Sequence, residues 1–474
     1  MSISIGTRRE LFVDQYLVDS MKGCRLVMHE PREAETVLKY DRPWEGVHSG
    51  AGIVFEDGGE YRLYYRGMPN VGDGSPQECT CLILSRDGVH WERPDLGQFE
   101  VQGTKHNNVV LAHQPPFSHN FMPFLDSRPD VPDEERFKAV AGTRKGGGLF
   151  AFVSGDGVVW KKQSDTPIIT HDKGHAFDSP NLAFWSELEK MYVCYYRTWR
   201  IVGPEQTVRW VSRAVSDDFI RWRSGVEMEM FHGDALAPPE EIYTTGTHPY
   251  CRAPHIYIAI PRRFMKNRTV VPDAEAEGLG VMPGQRGSCS DTLLLSSRGG
   301  NRYDRTFLEA FLRPGAERLN WTSRAGTVTA GVLQTAPREL SLYRNEHYGS
   351  PSVHLKRFTL RLDGFASLNA GYGEGRLLTR PLTFAGQRME INYATSAAGH
   401  VRVELQEADG TPIPGFTLAD CPEIIGDEIE RIVSWKNGSD ISRLAGRPVR
   451  LCFAMKDADL YALQFKEHKL MKDL

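Results

Sequence analysis

The chain has 474 residues, enough for about two to four domains of ordinary size. Charged residues make up 25% and the hydrophobic set 40%, which excludes intrinsic disorder as the main description. Lys and Arg (57) nearly balance Asp and Glu (61), giving a formal charge of -4. No long basic run departs from that balance, so we expect no nucleic-acid partner.

The N-terminal segment MSISIGTRRELFVDQYLVDS lacks the apolar core that a signal peptide needs. No apolar run reaches the roughly 18 residues of a membrane span. We therefore expect a cytoplasmic protein without a membrane partner. The eight cysteines are scattered, without the paired spacing of a zinc site or the density of a disulfide scaffold, and we expect buried thiols.

An internal repeat dominates the first three quarters of the chain. Four strings share a serine, then an acid or a glycine-rich turn, and end in an aromatic residue: Ser85–Trp91, Ser154–Trp160, Ser216–Trp222 and Ser297–Tyr303. A fifth trace, Arg361–Phe365, keeps only the turn. Asp-Gly tolerates the positive φ of a tight turn, so each string indicates a hairpin whose last aromatic packs on a sheet. We expect Asp87, Asp156 and Asp363 to be turn residues.

Other strand-like segments recur before each turn. Tyr61–Arg66, Tyr192–Arg197 and Leu340–Arg344 align with one another. They follow short strands of small and apolar residues, which are Gly50–Phe55, Asn120–Leu125, Pro180–Trp185, Tyr243–Thr247 and Val328–Val332. Units of four strands at this period are typical of propeller blades. The sequence therefore predicts an all-β chain with a five-bladed β-propeller over residues 36–372.

The two ends of the chain follow other patterns. Residues 1–35 contain the strand-like run Leu11–Val18, which is too short for a blade, and we expect this segment to close or brace the propeller. Residues 373–474 alternate strands with Asp-Gly and Asn-Gly turns, as in Gly399–Gln406 and Pro448–Ala454. That pattern predicts a C-terminal accessory β-sandwich, whose edges could carry a homo-oligomer interface.

The residues that precede the inner strands of a propeller meet around its central channel, so we look for a site there. Hydrolysis of a glycosidic bond needs one carboxylic acid as proton donor and a second carboxylate as nucleophile or base. Asp178 and Glu241 are the leading catalytic pair, and Glu45 is the third candidate. Asp126 falls at the far end of its strand, which favours a turn.

Nine further residues are predicted to bind the substrate, through sugar hydroxyls or a substrate carboxylate. They are His48, Arg66, His119, Asn120, Asn181, Arg197, Arg344, Glu346 and His347. The histidines His48, His119 and His347 are separated along the chain, which favours hydrogen bonding over metal binding. We expect neither a metal nor a cofactor.

The repeated turns, the Tyr-Tyr-Arg strands and the sandwich-like C-terminus together resemble the five-bladed propeller glycoside hydrolases, the group of invertase, levanase and arabinanase-like families. The strings Leu11–Asp19 and Tyr393–Gly399 look like those of bacterial relatives similar to family 32. In those families an acid from each of the first three blades supplies the nucleophile or base, a supporting Asp and the proton donor.

This sequence departs from that pattern. Pro43–His48 stands where the first blade of the family has Trp-Met-Asn-Asp-Pro-Asn-Gly, the second blade has no Arg-Asp-Pro, and the third has no Glu-Cys pair. These differences argue against β-fructosidase activity and leave the role of each acid open.

The function that we predict is an exo-acting glycoside hydrolase of carbohydrate metabolism or polysaccharide degradation, with an oligosaccharide or glycoside substrate. Two alternatives stay open. One is a sialidase-like hydrolase of acidic sugars, with Arg66, Arg197 and Arg344 as a carboxylate clamp. The other is a non-catalytic glycan-binding protein whose acids only contact sugar.

Overall fold

The computed structural model describes residues 2–69, 75–172, 174–204 and 206–467. The chain forms two compact units, one from Pro31–Thr359 and the other from Met1–Glu30 with Leu360–Leu474. Strands dominate both units. The helical segments in the described residues are the α-helix Asp273–Gly278 and the 3₁₀ turns Asp133–Glu135, Pro283–Gln285, Arg318–Trp321 and Ser442–Leu444. No helix in this part of the chain is long and apolar enough to cross a membrane.

The Pro31–Thr359 unit is the five-bladed propeller that the repeats predict. Blade 1 contains Gly50–Asp57, Glu60–Gly67, Cys79–Ser85 and Val109–Ala112. Blade 2 contains Met122–Leu125, Phe137–Thr143, Gly148–Ser154 and Lys161–Lys162. Blade 3 contains Leu182–Ser186, Met191–Gly203, Gln206–Ser216 and Val226–Glu227. Neighbouring strands in each of these blades are antiparallel.

The last two blades are more elaborate. Blade 4 contains Thr247–Tyr250, Ala253–Ala259, Leu295–Ser297, Arg302–Asp304, Glu229–His232 and Ala235–Leu236. A separate hairpin, Arg262–Met265 with Cys289–Thr292, continues from its second strand. Blade 5 contains Thr327–Val328, Leu333–Ala336, Glu339–Glu346, His354–Arg361 and Arg32–Lys39. Its outer strand therefore comes from the start of the unit, which ties the two ends of the propeller together.

The inner strands of the blades lie next to one another around a ring. The ring closes between blades 5 and 1, where Val54 donates its amide to the carbonyl of Ala330 at 2.8 Å and Ala330 donates to Gly52 at 3.0 Å. Gly331, with φ +101°, permits this approach, because a Cβ there would lie 2.0 Å from the Val54 carbonyl oxygen. All inner strands start at one face of the ring, so the residues before them share that face.

The repeated turns have the predicted structure. In blade 2 the Oδ1 of Asp156 accepts the amides of Val158 and Val159, both at 2.8 Å, and the Trp160 indole donates to the Gly157 carbonyl at 3.1 Å. Asp87 and Asp218 form the same bonds in blades 1 and 3. The geometry shared by the three turns explains why the acid recurs, because its carboxylate accepts hydrogen bonds from amides that the tight turn leaves without a backbone partner.

The turns of blades 1 and 2 also receive a tyrosine from the preceding blade. The Tyr64 hydroxyl donates to the Gly157 carbonyl at 3.0 Å, and that of Tyr343 donates to the Gly88 carbonyl at 2.6 Å. The rings of these tyrosines meet the last aromatic of the repeat edge-on, Tyr343 with Trp91 at 5.4 Å and Tyr64 with Trp160 at 6.5 Å. The repeat therefore marks the contacts between blades as well as the hairpins within them.

The second unit has a ten-stranded sheet. Its C-terminal strands are Ala366–Ala370, Gly375–Thr379, Leu382–Phe384, Arg388–Glu407, Asp427–Ile432 and Val449–Lys466. These strands include the two that the sequence predicts near 399–406 and 448–454. The described strands form one hydrogen-bonded sheet, and the two-sheet sandwich stays a prediction.

The N-terminal segment differs from its prediction. It forms the strands Ile3–Gly6, Arg9–Leu11, Val18–Lys22 and Cys24–Met28, which all pair with strands of the C-terminal unit. The cause is burial, because Phe12, Leu17 and Val18 pack in the same apolar core as Leu377 and Phe453. The expected brace of the propeller is thus part of the other unit, and the expected boundaries at 35 and 372 differ from those observed.

The turn acids should give the propeller an acid-sensitive stability. Burial raises the pKa of Asp218, but the amides of Arg221 and Ile220 and the Arg221 guanidinium outweigh it and lower the pKa to about 2. The pKa of an Asp in the unfolded chain is about 3.9. The contribution of the ionised Asp218 to the free energy of unfolding is therefore complete above that pH and is lost as the pH falls toward 2. We expect Asp218→Asn to make the loss of thermal stability between about pH 4 and 2 shallower. Asp217→Asn, a change at an exposed neighbour, should leave the slope unchanged; equal slopes in wild type and Asp218→Asn would contradict the assignment.

Candidate active site at the mouth of the propeller

The face on which the inner strands start has a small central mouth, lined by all five blades. Its lining residues are Ala51, Arg66, His119, Asn120, Asp178, Ser179, Pro180, Tyr243, Thr244, Arg262, Arg324, Thr327, Asn345 and Tyr348. The sequence predicts four of these as site residues, namely Arg66, His119, Asn120 and Asp178. The fold brings them together because each lies just before an inner strand or at the end of the strand that returns from it.

A side pocket of about 790 Å³ adjoins the mouth, between the long hairpin of blade 3 and the extra hairpin of blade 4. Trp199 and Arg209 line it from blade 3, and Glu240 and Glu241 line it from the segment that leads into blade 4. The mouth and the side pocket share Tyr243 and Arg324. Its volume lies within the range of ligand pockets, roughly 300 to 1,000 Å³.

Asp178 is the one carboxylate among the residues that line the mouth. Its side chain is 63% exposed and pairs through Oδ2 with Nη2 of the buried Arg197. Asn181 holds this loop against the second strand of blade 3, because its amide group donates to the Phe177 carbonyl at 3.2 Å and its Oδ1 accepts the Arg197 amide at 3.3 Å. Asn181 is fully buried and does not line the mouth, so it positions the loop, and the structure does not present it to a substrate.

Arg66 forms the opposite wall. Its guanidinium donates to the His48 carbonyl at 3.1 Å, to the Tyr348 hydroxyl at 2.9 Å and to Oδ1 of Asn120 at 3.4 Å. The His48 ring lies 5.3 Å from that of Tyr348, behind the lining residues. Asn120 has φ +57°, a left-handed conformation that asparagine tolerates, and this turns its side chain toward Arg66.

His119 has a buried acidic partner that the sequence analysis missed. Its Nδ1 lies 3.0 Å from Oε2 and 3.1 Å from Oε1 of Glu78, a carboxylate with no exposed surface. A carboxylate at Nδ1 fixes the orientation of an imidazole and leaves Nε2 for a ligand. Glu78 stands at the start of the third strand of blade 1, where no motif distinguishes it.

Glu241 lines the side pocket and does not line the mouth. Its Oε2 accepts the Arg209 guanidinium at 2.8 Å and the Arg209 amide at 3.2 Å. The neighbouring Glu240 is held by two arginines, Arg263 at 2.8 Å and Arg305. Glu240 is therefore held within the pocket wall, whereas Oε1 of Glu241 accepts no hydrogen bond from the described residues and stays available to a ligand.

Glu45 is the first correction among the predicted catalytic residues. Its side chain has no exposed surface, and it accepts Arg93 at 3.1 and 2.9 Å, the Arg42 amide at 3.0 Å and the Tyr65 hydroxyl. It lines neither the mouth nor the side pocket. The Arg93 guanidinium, the Arg42 amide and the Tyr65 hydroxyl hold this acid in the core of the blade, whereas Asp178 is exposed.

Arg344, Glu346 and His347 are also away from the mouth. Arg344 is buried, pairs with Glu346, donates to the Arg313 carbonyl at 2.7 Å and packs over the Phe358 ring. Burial raises the pKa of Glu346, but His354, Arg344 and Lys356 outweigh it and lower the pKa to about 2. This carboxylate is satisfied within the blade, so the predicted binding role has no support in its position.

His347 belongs to the one group of potential metal ligands found among the described residues. Its Nε2 lies 2.5 Å from Glu317, and the ligand atoms of Glu317, Glu346 and His347 lie within 4.8 Å of one another. Cations already face Glu346 from three sides, which opposes a further positive ion there. The described His48 and His119 are not part of this group.

Three residues at the centre of the site escaped sequence analysis: Tyr243, Arg262 and Arg324. Tyr243 stands in a segment interpreted as an inner strand, but that strand begins at Thr247 and Tyr243 faces the mouth. Arg262 begins the separate hairpin that continues from the second strand of blade 4, and it lines the mouth as Arg66 does in blade 1. Nothing in the pattern of the chain marks Arg324.

The pKa of Tyr243 is lowered. Burial raises it, but the guanidinium groups of Arg324, Arg262 and Arg197 outweigh the burial, while Asp178 opposes them. The lowered pKa of this phenol indicates a local excess of positive charge where the mouth and the side pocket meet.

Comparison with known proteins adds likenesses of fold. No protein-family model matches the sequence, and no curated protein is similar to it. Among solved structures, one described as a glycoside hydrolase is 10% identical, covering 70% of this chain and 92% of its own, with a TM-score of 0.47. A family 43 arabinoxylan arabinofuranohydrolase from Bacillus subtilis is 13% identical over 90% and 97%, with a TM-score of 0.41. A fructofuranosidase from Schwanniomyces occidentalis is 9% identical over 98% of each chain, with a TM-score of 0.39. The five-bladed architecture itself follows from the sheet order and the closed ring.

The buried pair of Glu45 and Arg93 makes a stability prediction. Removing one partner of a buried ion pair leaves the other charge uncompensated and costs about 3 kcal/mol or more. We expect Glu45→Ala to lower the midpoint of thermal unfolding, with Asp165→Ala as control because Asp165 is 98% exposed and pairs with a surface lysine. A stable Glu45→Ala protein without turnover would instead return Glu45 to the catalytic residues.

Proposed function

We propose that this chain is a glycoside hydrolase whose active site spans the central mouth and the side pocket. The observation that carries the proposal is the position of Asp178 and Glu241 on the two sides of Tyr243, the residue that both cavities share. Glycosidic cleavage needs two such carboxyl groups around one bond. The side pocket has the room for a sugar, whereas the adjoining mouth, at about 40 Å³, is too small for one, so we infer that the pocket ends there. A pocket closed at one end supports exo-acting cleavage of a terminal residue.

We assign the two carboxyl groups different roles. Asp178 is exposed and paired with Arg197, which suits a nucleophile or base that acts in its ionised form. Glu241 lines the roomier side pocket, and its bonds to Arg209 engage one oxygen, so the other oxygen is placed to contact the leaving group, and we assign it the role of proton donor. His119, oriented by Glu78, and Arg66 are then positioned to bind sugar hydroxyls.

The two alternatives fare differently. The carboxylate clamp of Arg66, Arg197 and Arg344 does not assemble, because Arg344 is paired within blade 5 away from the mouth. The glycan-binding alternative keeps one specific support, since both Asp178 and Glu241 are already paired with arginine and could serve as ligands alone. The same experiment separates binding from hydrolysis.

The test is a panel of aryl glycosides and natural oligosaccharides, neutral and acidic, incubated with wild type, Asp178→Asn and Glu241→Gln. We expect wild type to release a monosaccharide and each variant to lose about 100-fold or more in kcat, because each removes an acid or base from the transition state. Asp217→Asn, an exposed carboxylate of the same blade, is the matched control.

Unchanged turnover in both variants would show that the assigned pair is wrong. Glycan binding by wild type without any product over long incubation would favour the glycan-binding protein.

A further inference from the structure

The ring of Tyr243 is surrounded by guanidinium groups. The Cζ atoms of Arg262, Arg197 and Arg209 lie 4.1, 4.8 and 5.0 Å from the ring centroid, and that of Arg324 lies 6.0 Å away. An aromatic face attracts a cation, so the tyrosine helps to hold these groups close together. We name Arg262, Arg324 and Tyr243 the cationic cage.

Two of the four arginines have an acidic partner, and two do not. Arg197 pairs with Asp178, and Arg209 pairs with Glu241. In the described part of the chain, no carboxylate oxygen lies within 4.0 Å of the guanidinium of Arg262 or Arg324. The cage therefore carries an excess of positive charge.

Arg262 is the more constrained of the two. It is 4% exposed, and its Nη1 donates to the Arg324 carbonyl at 2.7 Å and to the Thr327 hydroxyl, while its Nε has no acceptor among the described residues. Burial lowers its pKa to about 10, Tyr243 opposes this, and Arg324 adds to it. A buried charge without a counter-charge is costly unless something else compensates it.

The cage is also accessible from the proposed active site. Arg324 lines both the mouth and the side pocket, and Arg262 lines the mouth. An anion bound by both arginines would therefore lie at the boundary between the two cavities. Asp178 and Glu241 stand on either side of that boundary.

We propose that the cationic cage binds the carboxylate of an acidic sugar, and that Arg324 and Arg262 select such sugars over neutral ones. Guanidinium groups recognise a carboxylate through paired, charge-assisted hydrogen bonds. The inference rests on the proposed function, in which the sugar in this pocket is the residue that is cleaved. Free inorganic phosphate offers the same chemistry, and the experiment distinguishes the two.

The test is equilibrium binding by calorimetry, which needs no turnover. The probes are sodium glucuronate, galacturonate and N-acetylneuraminate, with glucose and galactose as neutral partners and inorganic phosphate as the free anion. We expect at least one acidic sugar to bind wild type and to bind Arg324→Gln at least tenfold more weakly. Arg144→Gln, an exposed arginine in a turn of blade 2, should bind like wild type.

Stability provides the second measurement. Arg324→Gln removes a charge that repels Arg262, so we expect its midpoint of thermal unfolding to equal or exceed that of wild type. The acidic sugar that binds should raise the midpoint of wild type more than that of the variant. A folded variant with unchanged affinity for every acidic probe would overturn the proposal.

Two other outcomes would also overturn it. Neutral sugars that bind as tightly as acidic ones would remove the selectivity, and phosphate that binds through Arg324 while no acidic sugar competes would make the cage a phosphate site. These outcomes are separate from the fate of the hydrolase. Cleavage of neutral glycosides alone would preserve the proposed function and reject the cage. Binding of an acidic sugar without cleavage of any glycoside would support the cage and reject the proposed function.

Discussion

The geometry of the candidate site depends on the hydrogen bond from a tyrosine of one blade to the Asp-Gly turn of the next. Tyr64 and Tyr343 donate to Gly157 and Gly88, and glycine is required at these positions because a Cβ at Gly157 would lie 2.5 Å from the Tyr64 hydroxyl oxygen. Tyr195 holds the equivalent place in blade 3, where its ring lies 5.8 Å from Tyr303 at the end of the degraded repeat. These contacts join neighbouring sheets at the boundaries of blades 5 and 1, 1 and 2, and 3 and 4.

That constraint explains why the site has residues from all five blades. In blades 1 and 3 the second strand carries a tyrosine and, two residues later, an arginine, as Tyr64 with Arg66 and Tyr195 with Arg197. Side chains two residues apart on a strand share a face, so the repeat links these arginines to the tyrosines that face the next blade. Arg262 has a different origin, because it begins the separate hairpin of blade 4. The positive charge of the mouth thus comes partly from the repeat and partly from that hairpin.

How much of this could be predicted depended on the range of the interactions. The blades and turns follow from local patterns, since Asp-Gly turns and alternating strands are encoded within short segments. The N-terminal strands were assigned to the wrong unit because their partners lie more than 340 residues away, as between Cys24–Met28 and Ala366–Ala370. No local pattern encodes such a pairing.

The candidate site shows the same division. Asp178 and Glu45 occupy comparable positions before an inner strand, yet one is exposed at the mouth and the other is buried against Arg93 and Tyr65. The difference lies in the partners, because Arg93 and Tyr65 bind Glu45 inside blade 1, whereas Asp178 pairs with Arg197 at the surface. Arg344 aligns with Arg66 and Arg197 by sequence, but Tyr343 makes the bond to Gly88 that Tyr64 makes to Gly157, so the residue equivalent to Arg66 is Asn345. Asn345 lines the mouth, and Arg344, one residue earlier, is on the other face of the strand and pairs with Glu346. Residue type and spacing thus located the face of the site, and ion-pair partners from other strands decided which residues reach it.

The distribution of charge links the fold to the chemistry that we propose. Asp178 and Glu241 each have an arginine partner, so further positive charge at Arg262 and Arg324 is not needed to hold either acid in place. Four guanidinium groups around one phenol ring raise the electrostatic free energy of the empty pocket, and an anionic ligand would lower it. An anion bound by Arg262 and Arg324 would hold its sugar ring at the boundary of the mouth, which Asp178 lines, and the side pocket, which Glu241 lines. Recognition and cleavage would then share one set of contacts, and a neutral sugar would lack the interaction that draws the substrate to the end of the pocket.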